Sequence, residues 1–133
     1  MSNERHFAML RSLAASNVRF AVFGGAGLML HTQDRSRALP DSDVILAPGE
    51  VHTFVNWALP RGEVTVWGEP WHDDIVFAGK LYVRAKPDGL TLDAVFEDHE
   101  YDFEDLVRRA VIIDGLPVCP LHELQAMRAR PRT

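Results

Sequence analysis

The sequence has a single cysteine, Cys119, in 133 residues, so no disulfide can form within the chain. It has no apolar run near the roughly 20 residues that cross a membrane. The first residues also lack the basic segment and apolar block of a secretory signal. These absences predict a protein of the reducing cytoplasm, with no membrane partner, in which Cys119 is a buried structural thiol.

Positive charge is also scarce: 14 Lys and Arg stand against 19 Asp and Glu, which gives a formal net charge of −5. Because nucleic-acid affinity depends mainly on basic contacts to phosphates, the balance argues against general nucleic-acid binding. The arginines at 108–109 and at 128, 130 and 132 are expected to be solvated cations at helix ends. With 47% hydrophobic residues and no repeat, linker or low-complexity segment, residues 1–133 are expected to form a single domain.

The spacing of apolar residues predicts a mixture of helices and strands. Helices are expected over residues 3–15, 26–31, 51–58 and 103–110, and strands over 18–23, 63–67, 74–77, 80–84 and 90–96. Asp102 is a plausible helix cap, Asp114-Gly115 marks a hairpin turn, and Pro120 fits the first position of a closing helix. Several strands are adjacent in sequence, which favours an α+β fold, a mixed β-sheet with helices packed on it.

Two carboxylates, Asp41 and Asp43, lead directly into the apolar residues 44–46. Residues i and i+2 of a strand share a face and lie roughly 6.6 Å apart. The two side chains would therefore project side by side, as a hard divalent cation requires. A solvated turn is the alternative for this segment, because Pro, Asp and Ser are all turn formers.

The strand over residues 18–23 ends at Gly24-Gly25, and helix formers follow. A strand, a glycine turn and a helix N-terminus together form an anion site, because free backbone N–H groups and the helix dipole face outward. Asp93 lies in a later apolar strand, where a lone acid is costly to bury unless it is paired or bound to metal. Asp93 is therefore the expected third ligand beside Asp41 and Asp43.

This ordered set resembles the nucleotidyltransferase superfamily that includes DNA polymerase beta, and in particular small bacterial members of the abortive-infection-toxin type. The resemblance covers about residues 18 to 130. It implies that Gly24 and Gly25 form the phosphate-binding turn and that Asp41, Asp43 and Asp93 are the catalytic metal ligands. It also implies that Arg37 and His31 contact the nucleotide.

The resemblance implies a Mg²⁺-dependent enzyme that moves a nucleoside monophosphate from a nucleoside triphosphate, such as ATP, to an unknown acceptor. Two Mg²⁺ ions are expected, with Mn²⁺ as a substitute. The small bacterial relatives suggest a toxin–antitoxin system. Larger relatives use a C-terminal helical domain to hold the acceptor, and the short sequence is expected to leave acceptor recognition to a partner protein, to a homo-oligomer or to nothing. Lys80 and Arg84 are candidate phosphate contacts, although their place on a strand favours simple exposure to solvent.

Other readings remain open. Leu39 stands where the family usually has Thr or Ser, and Ser42 where an apolar residue separates the two acids, so a non-catalytic binding or regulatory protein is the main alternative. Gly25-Ala-Gly27 imitates a dinucleotide-binding turn, but Leu30 occupies the third glycine position. A histidine–carboxylate metal hydrolase would use residues 72–74, His31 with Asp34, or His99 with Glu97, none of which has zinc-site spacing.

Overall fold

The structure is a computed structural model that describes residues 2–67, 80–98 and 101–129. Within those ranges the helices are α1 (Ser2–Ala14), α2 (Gly24–Thr32), α3 (Val51–Ala58), α4 (Phe103–Arg108) and α5 (Leu121–Ala129). The strands are β1 (Phe20–Phe23), β2 (Ser42–Leu46), β3 (Val64–Trp67), β4 (Lys80–Ala85), β5 (Leu92–Asp98), β6 (Val111–Ile113) and β7 (Leu116–Val118). Short 3₁₀ turns occupy Leu59–Arg61 and Pro87–Gly89.

The strands form one seven-stranded sheet in the order β3-β4-β5-β2-β1-β7-β6. The pairs β2–β5 and β1–β7 are parallel, and the other neighbours are antiparallel. The predicted α+β class, a mixed sheet carrying helices, is confirmed.

Element types agree with the sequence, and most boundaries agree within two residues. The clearest difference is α2, which begins at Gly24 itself rather than after a separate glycine loop. The expected strand at 74–77 lies outside the described residues, as do His72 and His99. Among the described residues, no helix is long and apolar enough to cross a membrane.

The helices pack on the sheet through the apolar positions that their periodicity predicts. In α1, Phe7, Leu10 and Leu13 are buried, and in α3 Phe54 and Ala58 are buried. The apolar residues of β1, β2 and β5 complete the same core cluster. The sheet therefore has a rigid centre, and its central strands position whatever projects from their ends.

The local signals for turns and caps also hold. The Asp102 side chain accepts a hydrogen bond from the Asp105 backbone N–H at the start of α4. Asp114 and Gly115 both have positive φ and connect β6 to β7, as a two-residue hairpin of this composition requires. Pro120 lies immediately before α5, and its carbonyl accepts hydrogen bonds from Glu123 and Leu124.

Candidate active site

The ends of three central strands meet at one edge of the sheet. β1 ends at Phe23, whose register partner is Asp43 near the start of β2. Asp43 is in turn the register partner of Asp93, near the start of the parallel strand β5. Register partners on neighbouring strands project to the same face. Two carboxylates from distant segments are therefore side by side on adjacent strands.

Asp41 immediately precedes β2 and is half-buried. Burial raises the pKa of its carboxyl group and the charge of Asp93 raises it further, whereas Arg84 and His6 act in the opposite direction. The structure thus brings Asp41, Asp43 and Asp93 to one end of the sheet, and their role as metal ligands remains a prediction.

Gly24 packs directly against this acidic group. Its φ of +65° is in the left-handed region, which glycine adopts without the clash that a Cβ creates. A Cβ at this position would lie 2.5 Å from Oδ2 of Asp43 and 3.3 Å from the Asp43 Cβ. The turn at the start of α2 and the second predicted ligand are therefore in contact. Gly25, which follows, is exposed.

The loop that leads into β2 is held by α1. The Asn3 side chain donates from Nδ2 to the Arg37 carbonyl at 2.9 Å, and its Oδ1 accepts from the Leu39 N–H at 2.8 Å. Leu39 is buried, so the apolar residue at this position fills space beside Gly25, where a Cβ would be 3.7 Å from a Leu39 methyl group. Arg37 is exposed, and its contact with nucleotide remains a prediction.

Ser42, which separates the two acids, points to the opposite face. There its Oγ lies 2.8 Å from Nδ1 of the buried His6 in α1. Burial lowers the pKa of His6, which favours the neutral ring. The polar residue between the acids is therefore explained by a buried partner, which the sequence reasoning did not find because the two residues are 36 positions apart.

Arg84 forms a forked ion pair with Asp93 and does not simply face solvent, so that expectation was wrong. Its Nε donates to Oδ1 at 2.8 Å and its Nη2 donates to Oδ2 at 3.0 Å. The Asp93 side chain is 1% exposed and that of Arg84 is 34% exposed. Burial of an acid requires such a partner. The hydrogen bonds to Asp93 accordingly raise the pKa of Arg84.

A signal for this pair was present in the sequence. Arg84 lies four residues before Asp88, and Asp93 lies four residues after Gly89. Antiparallel strands joined at that turn place residues equally spaced from it opposite each other, and the register of β4 and β5 does so. The turn at Pro87–Gly89 therefore fixes the register that places Arg84 opposite Asp93.

No protein-family model matches the sequence, and no curated protein matches it. Solved structures do. A nucleotidyltransferase candidate from Thermotoga maritima aligns over 97% of this chain and 86% of its own, with a TM-score of 0.70 and 14% identity. The antibiotic-resistance factor ANT(2″)-Ia in solution aligns over 96% and 83%, with a TM-score of 0.54 and 15% identity.

The chain has a nucleotidyltransferase fold. A crystal structure of ANT(2″)-Ia in complex with adenylyl-2″-tobramycin is also similar, with a TM-score of 0.50 and 19% identity over 87% of this chain and 68% of that one. At these identities the likeness establishes the architecture, and the chemistry must be argued from the residues.

The nucleotidyltransferase fold removes the dinucleotide-binding alternative. A Rossmann unit joins two parallel strands through a helix, whereas β1 and β2, which flank α2, are antiparallel here. The resemblance of Gly25-Ala-Gly27 to that fingerprint is therefore only local.

The His31 side chain forms a hydrogen bond within the fold. Its Nε2 donates to the carbonyl oxygen of Cys119 at 2.8 Å, which ties the end of α2 to the segment between β7 and α5. Contact of His31 with a nucleotide remains a prediction.

Cys119 is fully buried, as expected, and burial raises the pKa of its thiol to about 12. The side chains of Lys80 and Arg128 lie outside the described residues.

Oxygen donors of the type that Mg²⁺ prefers are present at the site, since Asp41, Asp43 and Asp93 all bear carboxylates. In the parts of the chain that the structure describes, however, no three His, Cys, Asp or Glu side chains are grouped so that they could hold a metal ion. Asp93 is bound to Arg84. The residues therefore fit a divalent cation at Asp41 and Asp43, and they do not show one shared by all three acids.

Proposed function

We propose that this protein transfers a nucleoside monophosphate from a nucleoside triphosphate to an acceptor. The observation that supports the proposal best is the contact between Gly24 and Asp43, with Asp93 in register beside Asp43. A phosphate-binding turn and carboxylates serve this chemistry only if they are adjacent. Nucleotidyl transfer depends mainly on positioning and on neutralising phosphate charge.

The start of α2 would hold the triphosphate. Helix N-termini carry backbone N–H groups without partners in the helix and the positive end of its dipole. Gly24 and Gly25 leave these groups open to an approaching phosphate, since neither carries a side chain. Arg37 lies on the exposed loop that Asn3 holds near the start of β2, where its charge would add to the attraction for phosphate.

Asp41 and Asp43 would hold Mg²⁺, for which Mn²⁺ could substitute. When bound, the metal supplies charge neutralisation for the phosphates and orients them. The partly buried Asp41 is well suited to this role because its carboxylate is already crowded by another negative charge. Asp93 would act next to them, on the side of the acceptor.

ATP is the triphosphate that we propose first, because ANT(2″)-Ia was solved with an adenylylated product, adenylyl-2″-tobramycin. We propose no particular acceptor. The resemblance to abortive-infection-type enzymes supports a role in a toxin–antitoxin system. Co-purification of a partner protein from the native host would test that role separately.

The direct test is incorporation of labelled nucleotide with Mg²⁺ or Mn²⁺, using each of the four triphosphates against protein, RNA and self acceptors. Asp43→Ala should abolish incorporation and retain the fold. Glu104→Ala is the matched control, because it removes an exposed carboxylate that pairs with Arg19, and such surface pairs contribute little to stability. Equal activity of the two variants would remove Asp43 from the mechanism.

A non-catalytic nucleotide-binding protein is the second candidate, and the Arg84–Asp93 ion pair is the observation that favours it. In this candidate, the ion pair with Arg84 keeps Asp93 from acting on an acceptor. This candidate predicts that a non-hydrolysable triphosphate with Mg²⁺ raises the melting temperature by linkage, while no labelled product forms with any acceptor. Labelled product would exclude it.

A further inference from the structure

Arg84 brings a permanent positive charge into the group of predicted ligands. It comes from β4, the strand next to β5 on the side away from β2. Its guanidinium contacts both oxygens of Asp93, at 2.8 and 3.0 Å. A forked pair of this kind fixes the orientation of both groups. The side of the acidic cluster that faces β4 is therefore already occupied by a cation.

From this geometry we infer that Arg84 takes the place of the second metal ion, so that the site binds one divalent cation and not two. The inference rests on the proposed function. It changes the two-ion expectation to one ion at Asp41 and Asp43, with the arginine acting permanently at Asp93.

Charge balance supports a single ion. The guanidinium of Arg84 already neutralises the carboxylate of Asp93, so that acid does not need a cation of its own. Arg84 acts beyond its own partner, because its charge also influences Asp41. A second divalent ion at Asp93 would lie next to the guanidinium and meet direct repulsion, with little solvent between them to screen it.

The burial of Asp93 also supports a single ion. Asp93 is 1% exposed and both of its carboxylate oxygens accept hydrogen bonds from Arg84, so little of the group is open to an ion that arrives from solvent. Arg84 is 34% exposed, which leaves part of its guanidinium facing outward and able to contact a phosphate or an acceptor. Arg84 therefore positions Asp93, and its fixed positive charge replaces that of the second metal ion.

The experiment counts bound Mn²⁺ by electron paramagnetic resonance and by calorimetry on the full chain saturated with a non-hydrolysable triphosphate. The wild type should bind one ion. Arg84→Met, which removes the charge and keeps the aliphatic stem, should bind two. Arg84→Gln removes the charge but keeps a hydrogen-bond donor for Asp93, and it gives the same test if the methionine variant does not fold.

Arg84→Lys keeps the charge and should stay at one ion. Arg108→Met is the control, because it removes an arginine whose side chain is 70% exposed and that pairs within α4. Two ions in the wild type, or one ion in the folded Met and Gln variants, would overturn the inference while leaving nucleotidyl transfer intact. No ion and no nucleotide bound in the wild type would instead overturn the proposed function, and the inference with it.

Discussion

Replacement of Gly24 by alanine tests the candidate site at its tightest contact. The new Cβ would lie 2.5 Å from Oδ2 of Asp43, so the carboxylate must move by about 1 Å to reach an ordinary contact distance. A displacement of that size at a positioned group lowers rates by about 100-fold. The left-handed φ of +65° adds a strain of about 1 kcal/mol.

Gly49→Ala separates the two effects. Gly49 also has a positive φ, +85°, but nothing lies within 4 Å of the Cβ that alanine would add. Backbone strain should therefore cost both variants about 1 kcal/mol of stability and lower their melting temperatures by a few degrees. Only Gly24→Ala should also lose its response to nucleotide.

The assay compares both variants by thermal unfolding, with and without a triphosphate and Mg²⁺, and by nucleotide incorporation. If Gly24→Ala retains the nucleotide-induced stabilisation and the activity of Gly49→Ala, the contact with Asp43 has no functional meaning. The argument that the turn and the carboxylate form one site would then be refuted.

Four further predictions concern the scaffold. Ser42→Ala leaves Nδ1 of the buried His6 ring without its hydroxyl partner and should lower the free energy of unfolding in urea by about 1–3 kcal/mol. Because the folded pKa of His6 lies below its unfolded value of 6.5, the unfolded chain binds the proton first. Stability should therefore fall as the pH drops below that value, and less steeply in His6→Gln. Cys119, whose pKa is raised to about 12, should react with a thiol reagent at pH 8 only after denaturant is added. Gly62→Ala would place a Cβ 2.1 Å from the Lys86 carbonyl oxygen, so it should be less stable than Gly49→Ala in the same unfolding assay.

Local patterns predicted the helices and strands well, because each element depends on neighbours in sequence, and the acidic ligand set stays a prediction. The pair of acids two residues apart specified a shared face. The apolar alternation around Asp93 indicated a strand in which an acid needs a partner. The pattern did not identify that partner. A metal ion was expected beside Asp93, and the structure shows Arg84 there.

The contacts that the sequence did not reveal join residues far apart in the chain. His6 meets Ser42 from the other face of the sheet, and Asn3 of α1 holds the loop before β2. The position of each depends on the angle and depth at which a helix packs on the sheet. No local periodicity carries that information.

The chain by itself determined which residues are chemically able to bind phosphate and metal, because side-chain type and strand alternation are encoded position by position. Tertiary structure alone decided that β2 and β5 are parallel and adjacent, which places Asp43 beside Asp93. It also decided that a guanidinium lies against Asp93. Strand order and packing arise from the burial of the whole core, so the final charge of the site is a property of the fold.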